Sequence, residues 1–295
     1  MLARYKKIGY LTAWQETLDW ADTMLTACQY NNIVAILSIS EFPIDPSLGF
    51  MQSSSRFWYD DKQLEQTVSL VGKLAKHFAG KEKDLVAFEV LNEPEIRVLG
   101  KPIFPKKWPA LQTMIIAEIR KYSQNWIVAT LGMGGMPNEY KKSSLFSDNR
   151  IVYGAHMYIP HKFTHQGIAG RKRGYRYPGK IDSTLWDKEQ LRNALAGLRN
   201  FHLSSNRPIW IGEFSTARWA SGGEQYLKDL VQIFNEYQWG WAYFNIGGMH
   251  AWHPDYSTQY SSNDQDDWSK QYIGIGSERW KTLRTFLAPF NNYAQ

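Results

Sequence analysis

Residues 85–94 read LVAFEVLNEP, and this stretch decides the fold. Its first seven residues are almost continuously apolar and do not alternate with polar ones, which is typical of a strand buried on both faces of a parallel sheet. Pro94 then ends strand pairing directly after Glu93. Residues 208–214, PIWIGEF, repeat the arrangement, because a second apolar run leads to a second carboxylate, Glu213.

Apolar runs of this kind alternate with helical patterns along the whole chain. The predicted strands are residues 33–39, 85–91, 126–131, 151–158, 208–214 and 239–246. The predicted helices are residues 17–29, 63–78, 107–122, 188–201, 224–237 and 277–287. Such alternation predicts a parallel sheet, and no glycine-rich dinucleotide fingerprint follows the first strand.

Six strand–helix units are recognisable, whereas a complete (β/α)8 barrel has eight. No strand-like run precedes Thr17. The chain is therefore predicted to be an α/β protein with a TIM-type (β/α)8 barrel that is incomplete at its N-terminal side. No linker divides it, so residues 1–295 are predicted to form a single barrel domain.

Composition excludes several classes of protein. The chain has 295 residues, of which 43% are hydrophobic and 21% charged, and this is a globular composition. The single cysteine, Cys28, excludes an internal disulfide framework and a cysteine-rich zinc site. No apolar run approaches the roughly 18 residues of a membrane helix, and no signal peptide is recognisable at the start. We expect no membrane partner, and the compartment is not predicted.

Net charge and aromatic content indicate which classes of ligand the protein could bind. The net charge is +6, and its densest basic cluster, residues 171–173, is flanked by Gly, Tyr and Pro as in an exposed loop. Because no nucleic-acid-binding signature accompanies it, we expect no nucleic-acid partner. The chain also has 13 Trp, 17 Tyr and 14 Phe. These rings could fill a large core or stack on flat apolar ligands such as sugar rings, and composition alone leaves both open.

Two carboxylates, Glu93 and Glu213, follow buried strands. The active site of a parallel barrel lies at the carboxyl ends of its strands, and a carboxylate beside buried apolar residues is costly to desolvate. One such glutamate could equally form a salt bridge or cap a helix. Two together suit glycoside hydrolysis, in which one carboxyl group protonates the departing oxygen and the other attacks the anomeric carbon.

A histidine and a tyrosine end the strand predicted at residues 151–158. His156 and Tyr158 are two residues apart and therefore point to the same face. A tyrosine hydroxyl there could orient a nucleophilic carboxylate and a histidine could bind a sugar hydroxyl, although a core pair is also possible. His161 and His165 follow on a loop, without metal-ligand spacing on one element. We predict no metal site and no cofactor.

These motifs together resemble those of glycoside hydrolase family 5, the cellulase family of the (β/α)8 clan A. Residues 91–94, LNEP, resemble the acid/base motif, and residues 210–214, WIGEF, resemble the nucleophile strand. His156 and Tyr158 lie between them, where the family has its own His-x-Tyr pair. The resemblance covers roughly residues 17–287 and implies that Glu93 and Glu213 lie on the family's fourth and seventh strands.

The resemblance implies specific roles. Glu93 would be the general acid/base and Glu213 the nucleophile of a retaining reaction, with their carboxyl groups about 5 Å apart. Asn92 would hydrogen-bond the 2-hydroxyl of the sugar at the cleavage point. Tyr158 would lie beside Glu213, and His156 would contact substrate.

Three positions depart from the family pattern. The arginine on the family's second strand, which steadies the nucleophile, has no counterpart, and Ser40 stands where the third strand ends in histidine. Phe244 holds the place of a tryptophan that often lies under the cleaved sugar, and Trp252 in the following loop is a second candidate for stacking. The first two β/α units therefore look absent; a gene-start error, a natural truncation and a divergent N-terminus each account for this.

The resemblance predicts a hydrolase of carbohydrate metabolism, an endoglucanase-like glycosidase that degrades a β-linked polysaccharide or oligosaccharide. β-1,4-Glucan is the first expected substrate and β-mannan the second. The alternative is a non-catalytic carbohydrate-binding relative, which the missing arginine and Ser40 favour and the intact Glu93 and Glu213 oppose. The basic loop at residues 159–182 suits an acidic or substituted glycan, or is simply exposed. Members of the family are often secreted.

Overall fold

The computed structural model describes residues 10–40, 55–81, 83–98, 101–142, 145–260 and 268–287. Helices in these ranges are α1 (Tyr10–Tyr30), α2 (Ser55–Tyr59), α3 (Asp61–His77), α4 (Trp108–Arg120), α5 (His161–Thr164), α6 (Lys188–Ser205), α7 (Gly223–Glu236) and α8 (Glu278–Leu287). Strands are β1 (Ala35–Ser38), β2 (Leu85–Glu89), β3 (Ile96–Val98), β4 (Lys101–Ile103), β5 (Trp126–Ala129), β6 (Ile151–Met157), β7 (Gly179–Ile181), β8 (Thr184–Trp186), β9 (Ile209–Phe214) and β10 (Gly240–Trp241).

Six strands form the main sheet, in the order β1-β2-β5-β6-β9-β10. The pairs β1–β2, β2–β5, β5–β6 and β9–β10 are parallel, and the register places Ser38 opposite Glu89 and Glu89 opposite Val128. These are the six strands expected from the sequence, and they lie in the sheet in the order in which they follow one another along the chain. The described residues contain no strand before β1, and the absence of the first two β/α units stays a prediction.

Three features differ from the sequence-based expectations. Helix α1 begins at Tyr10 and not at Thr17, and β10 is only two residues long. The backbone beyond β10 still pairs irregularly with β9, because Ala242 N donates to Ile211 O at 2.9 Å and Phe244 N donates to Phe214 O at 3.1 Å. The antiparallel hairpins β3–β4 and β7–β8 were not predicted, since each strand has three residues and shows no periodicity.

Close contacts divide the described residues into two compact units, one up to Gly154 together with Ser205–Pro208, and one of Ala155–Ser204 together with the residues from Ile209 onward. Each is described by itself. The assignment of residues 1–295 to one domain stays a prediction. No helix in the described ranges combines the length and apolar character needed to cross a membrane.

In the first unit, α3 and α4 pack together, and α4 contacts the end of β5. Asp60 starts α3 by accepting hydrogen bonds from the backbone N–H groups of Lys62 and Gln63.

Trp108 and Gln112 of α4 are fully buried and hold the end of β5. The Trp108 indole donates to Thr130 O at 2.7 Å, while the Gln112 amide accepts from Thr130 N at 3.0 Å.

In the second unit, α7 covers β9. Its apolar residues recur at helical spacing on one buried face, and they include Tyr226, Leu230 and Phe234. The Phe234 ring meets the ring of Phe214 edge to face, with centroids 5.3 Å apart. Because Phe214 directly follows Glu213, this packing fixes the end of β9.

Candidate active site

The end of β2 carries the predicted acid/base. Val90 and Leu91 have no exposed surface, and Asn92 and Glu93 beyond them are half-buried. Asn92 N donates to Ile39 O at 2.9 Å, and the carbonyl of Pro94 accepts from Gly134 N at 3.2 Å. Neighbouring segments therefore hold the strand end on both sides of Glu93.

Glu93 has a strained backbone. Its φ of +46° lies in the left-handed region, where a residue with a Cβ is uncommon. Such conformations cost about 1–3 kcal/mol and cluster at functional sites. The hydrogen bonds at Asn92 and Pro94 offset this cost and aim the Glu93 side chain.

Ser40 comes directly after Ile39, the residue that pairs with Asn92. It is exposed, beyond the end of β1. A hydroxyl at this point can hydrogen-bond a sugar but cannot perform the proton transfer of an imidazole.

The end of β9 carries the predicted nucleophile. Ile211 and Phe214 are completely buried and anchor the strand, while the side chain of Glu213 keeps 16% of its surface exposed. Tyr158 Oη donates a hydrogen bond to Glu213 Oε2 at 2.9 Å. His156 Nδ1 lies 3.7 Å from the same oxygen. The second unit therefore brings these three predicted residues together.

Tyr158 and His156 are positioned by β6 and its continuation. Both are only 6% exposed, and they share one face of the strand as their spacing predicts. A Cβ added at Gly212 would lie 3.4 Å from His156 Nε2, so glycine lets β9 approach the imidazole closely. A hydroxyl that donates to Glu213 stabilises the ionised carboxylate and fixes its orientation.

The two predicted aromatic contacts also lie near this end of the sheet. Phe244 is half-buried, and its ring meets that of Trp252 edge to face with centroids 5.6 Å apart. Trp252 is 8% exposed and packs 5.8 Å from the Tyr158 ring. Phe244 is therefore the less buried of the two residues, and Trp252 mainly supports Tyr158.

Two buried arginines were missed by the sequence analysis. Arg218 is 1% exposed, and burial lowers its pKa to about 10. Burial also acts to lower the pKa of Arg279, but the Tyr243 hydroxyl and the Glu224 carboxylate outweigh it and the pKa lies above its usual value. Tyr243 Oη in turn donates to the carbonyl of Trp252. No local pattern marks either arginine as buried, since each depends on partners distant in sequence.

The histidines of the following loop lie side by side. His161 Nδ1 and His165 Nδ1 are 3.4 Å apart, and Thr164 Oγ1 is 2.9 Å from His165 Nδ1. The His165 ring also meets the Tyr158 ring edge to face at 5.1 Å. They pack against the tyrosine beside Glu213, and the absence of a metal and a cofactor stays a prediction.

Comparison with known proteins identifies the family of the chain. The sequence profile of the cellulase family, glycosyl hydrolase family 5, matches residues 5–250. Endoglucanase C of Acetivibrio thermocellus is 24% identical over an alignment 263 residues long that covers 80% of this chain and 74% of that protein. Cellodextrinase A of Ruminococcus flavefaciens is 30% identical over 125 residues, 41% of this chain and 34% of that protein.

Solved structures share the fold. A hyperthermophilic endo-β-1,4-glucanase in complex with substrate superposes with a TM-score of 0.68 at 22% identity, covering 90% of this chain and 76% of that one. Cel5A of Thermotoga maritima in complex with mannotriose gives a TM-score of 0.64 at 19% identity, covering 81% and 73%. The fold is an incomplete (β/α)8 barrel. The profile match spans most of the chain, and the chain therefore belongs to the cellulase family, glycosyl hydrolase family 5, and is a glycosidase.

Proposed function

We propose that the protein is a retaining, endoglucanase-like β-glycosidase that cleaves β-linked glucan through a covalent glycosyl-enzyme. Glu213 is the nucleophile and Glu93 the general acid/base. The observation that carries the proposal is the hydrogen bond from Tyr158 Oη to Glu213 Oε2, 2.9 Å long, at the carboxyl end of β9. A carboxylate held in this way is oriented for attack.

In the first step, a Glu213 oxygen forms a bond to the anomeric carbon while the bond to the departing oxygen breaks. The Glu93 carboxyl group gives its proton to that oxygen, so the aglycone leaves as an alcohol. In the second step, the Glu93 carboxylate takes a proton from water, and the resulting oxygen attacks the anomeric carbon and frees Glu213. Two inversions retain the configuration, and the mechanism requires a carboxyl separation of about 5 Å.

The neighbouring residues position substrate and nucleophile. Asn92 hydrogen-bonds the 2-hydroxyl at the cleavage point, a contact that strengthens in the transition state. Phe244 stacks on the sugar ring, with Trp252 beside it. His156 contacts a sugar hydroxyl. Its Nδ1 lies 3.7 Å from Glu213 Oε2 and adds to the polar surroundings of that carboxylate.

β-1,4-Glucan is the first substrate and β-mannan the second. Support comes from relatives described as endoglucanases and from Cel5A structures determined with cellobiose and with mannotriose. The partner is thus a polysaccharide or oligosaccharide.

The test measures reducing-sugar release from soluble β-glucan, β-mannan and xylan. We expect the parent to cleave β-glucan, and Glu93→Gln and Glu213→Gln to lose at least about 10³-fold in kcat. Glu189→Gln, which changes a glutamate with a 76% exposed side chain, is the matched control and should keep full activity.

Product configuration, followed by NMR, tests the retaining mechanism. An initial product of inverted configuration would contradict the double displacement. A folded parent that binds glucan without cleaving any of the three glycans would establish instead the non-catalytic carbohydrate-binding alternative.

A further inference from the structure

Apart from the candidate active site, a groove lies in the second unit, among the loops that follow the carboxyl ends of β6, β9 and β10. Its volume is about 500 Å³, within the roughly 300–1,000 Å³ of small-molecule sites. Three aromatic rings and one guanidinium line it, from Tyr175, Trp219, Tyr260 and Arg173, with the hydroxyls of Ser221 and Thr258 at its edge.

One wall is preorganised by a buried glutamine. The side-chain amide of Gln166, 2% exposed, donates to Phe163 O and Tyr175 O at 3.1 and 3.0 Å. Its oxygen accepts from the backbone N–H groups of Gly174 and Tyr175 at 3.0 and 3.1 Å. The amide therefore fixes the shape of this loop.

The opposite wall is held by Arg218. Its guanidinium donates to the carbonyls of His250 and Gln259 at 3.2 and 2.6 Å, to that of Ser257, and to Gln271 Oε1 at 2.6 Å. Trp219 follows Arg218 directly, and its indole donates to Gln166 O at 2.7 Å. Trp219 thus ties the two walls together while its ring remains half-exposed.

Gly167 allows the lining side chains to meet. Its φ is +79°, and a Cβ there would lie 2.7 Å from the Tyr260 ring and 2.9 Å from both Arg173 and the Trp219 indole. The guanidinium carbon of Arg173 lies 3.5 Å from the centroid of the Tyr260 ring. Stacking on the Tyr260 ring holds the plane of the Arg173 guanidinium. The N–H groups along the edge of that plane can donate two parallel hydrogen bonds, a geometry that suits a carboxylate.

The surrounding charge is positive. Residues 159–181 include six Lys or Arg and no Asp or Glu. Lys162 pairs with Asp182 at 2.7 Å, whereas no carboxylate of the described residues forms an ion pair with residues 171–173 or 176. Asp264, Asp266 and Asp267 follow Tyr260 in sequence and lie outside the described residues.

Packing connects the groove to the catalytic end of β9. Tyr158, which binds Glu213, accepts through its carbonyl from Thr164 Oγ1 at 2.7 Å. The carbonyl of Thr164 accepts from Ala217 N at 2.8 Å, two residues before Trp219. These hydrogen bonds hold the loop that carries Trp219 against the loop that follows Tyr158, both within the second unit.

We propose that this groove is a subsite for a pyranosyl unit that carries a carboxylate, so that the preferred substrate is an acidic, uronate-containing β-glucan. Trp219 and Tyr175 stack on the sugar ring, and Arg173 binds the carboxylate. The inference rests on the proposed function, because the glycan is the one whose chain is cleaved beside Glu213.

The test compares binding of cellohexaose with binding of cellohexaose oxidised at C6 to carboxylates. Calorimetry is performed in the Glu213→Gln background, so that neither probe is cleaved. We expect the oxidised chain to bind about tenfold more tightly, and this preference to fall with rising salt. Arg173→Gln should abolish the preference, and Trp219→Ala should weaken both chains.

Arg199→Gln is the matched control, since Arg199 also stacks on a tyrosine, Tyr237, at 4.4 Å but lies on α6 outside the groove; it should retain the preference. Equal binding of both chains, unchanged by Arg173→Gln, would overturn the acidic subsite and leave the hydrolase standing if the parent cleaves neutral glucan. An Arg173-dependent preference in a protein that cleaves no glycan would support the subsite and contradict the proposed hydrolysis.

Discussion

At the residue scale, the Tyr158 hydroxyl ties the position of Glu213 to the packing of the second unit. The ring is held by Trp252 on one side and His165 on another, with centroid distances of 5.8 and 5.1 Å. The hydroxyl therefore has little freedom and meets the carboxylate in one orientation. This hydrogen bond matters more for the reaction than for stability, because Glu213 must be both ionised and correctly aimed at the moment of attack.

The first prediction concerns that hydroxyl. Tyr158→Phe keeps the ring and removes the donor, so kcat on soluble β-glucan should fall about 10²-fold while KM changes little. Tyr237→Phe, which alters a half-buried tyrosine after α7, should leave both constants unchanged. An equal loss in the two variants, or a change confined to KM in Tyr158→Phe, would show that the hydroxyl does not position the nucleophile.

The second prediction concerns Asp148, which accepts from Arg120 and from Arg150 N at 2.7 Å. Burial acts to raise the pKa of Asp148, and these hydrogen bonds outweigh it, so the pKa lies below its usual value. The stability that the group contributes is therefore present above the unfolded pKa near 3.8 and is lost as the pH falls through the folded pKa.

Asp148→Asn should lower the free energy of unfolding by about 1–3 kcal/mol at neutral pH. In urea titrations, the gap between parent and variant should begin to narrow below about pH 5 and keep narrowing as the pH falls through the folded pKa of Asp148. Asp61→Asn removes an ion pair whose carboxylate is 81% exposed and should cost less than about 0.5 kcal/mol. A gap that stays constant with pH would exclude the charge of Asp148 as its origin.

At the element scale, the start of α7 depends on a glycine. Gly222 has a φ of +81°, and a Cβ there would lie 1.7 Å from the carbonyl oxygen of Tyr177. Tyr177 N also donates to Ser221 O at 3.0 Å, so the loop and the helix start are bound together. Backbone approach this close leaves no room for any side chain.

The third prediction separates that clash from backbone strain. Gly80, after α3, has a similar φ of +83° with no atom within 4 Å of its Cβ position. Gly80→Ala should therefore cost only the strain, about 1 kcal/mol, whereas Gly222→Ala adds a displacement of backbone and should cost about 3 kcal/mol or more. Thermal unfolding measures both, and equal losses would contradict the close approach at Gly222.

Hydrophobic periodicity predicted the long strands and helices well because the positions that are buried in the fold determine that periodicity. Within the run at residues 85–91, Leu85–Glu89 form β2 because both faces are covered, and α7 is a helix because one face meets β9. The hairpins β3–β4 and β7–β8 lie in loops and are fixed by pairing alone, so no pattern marked them. The short β10 reflects irregular pairing near Phe244, where the chain leaves the sheet.

For the candidate site, the sequence predicted several residues but not the contacts that support them. Glu213, Tyr158 and His156 were identified from strand ends and two-residue spacing, and their contacts agree. The left-handed backbone of Glu93 and the burial of Arg218 were not predictable, because each depends on hydrogen bonds to segments far away in sequence. Local sequence specifies the position of a side chain along a strand, whereas the supporting contacts require the folded chain.

At the scale of the whole molecule, the net charge of +6 raises the question of which polymers the protein attracts. Binding to nucleic acid through phosphate contacts weakens by about 10³–10⁵-fold between about 50 and 200 mM salt, whereas stacking and neutral hydrogen bonds to a sugar hardly change. Six of the 34 Lys and Arg residues lie at residues 159–181, beside the Arg173 groove, with no Asp or Glu among them. This local charge suits a local anionic group on a glycan better than a continuous phosphate backbone.

The fourth prediction follows from this distribution. Turnover of neutral β-glucan should vary less than about twofold between about 50 and 200 mM salt, and a DNA duplex of about 20 base pairs should not inhibit it at the lower concentration. Uronate-containing glucan should bind more weakly as salt rises, because its carboxylate meets a guanidinium at the surface. Inhibition by the duplex that salt relieves would show that the basic loop binds polyanions in general, and the charge would then no longer favour a glycan ligand.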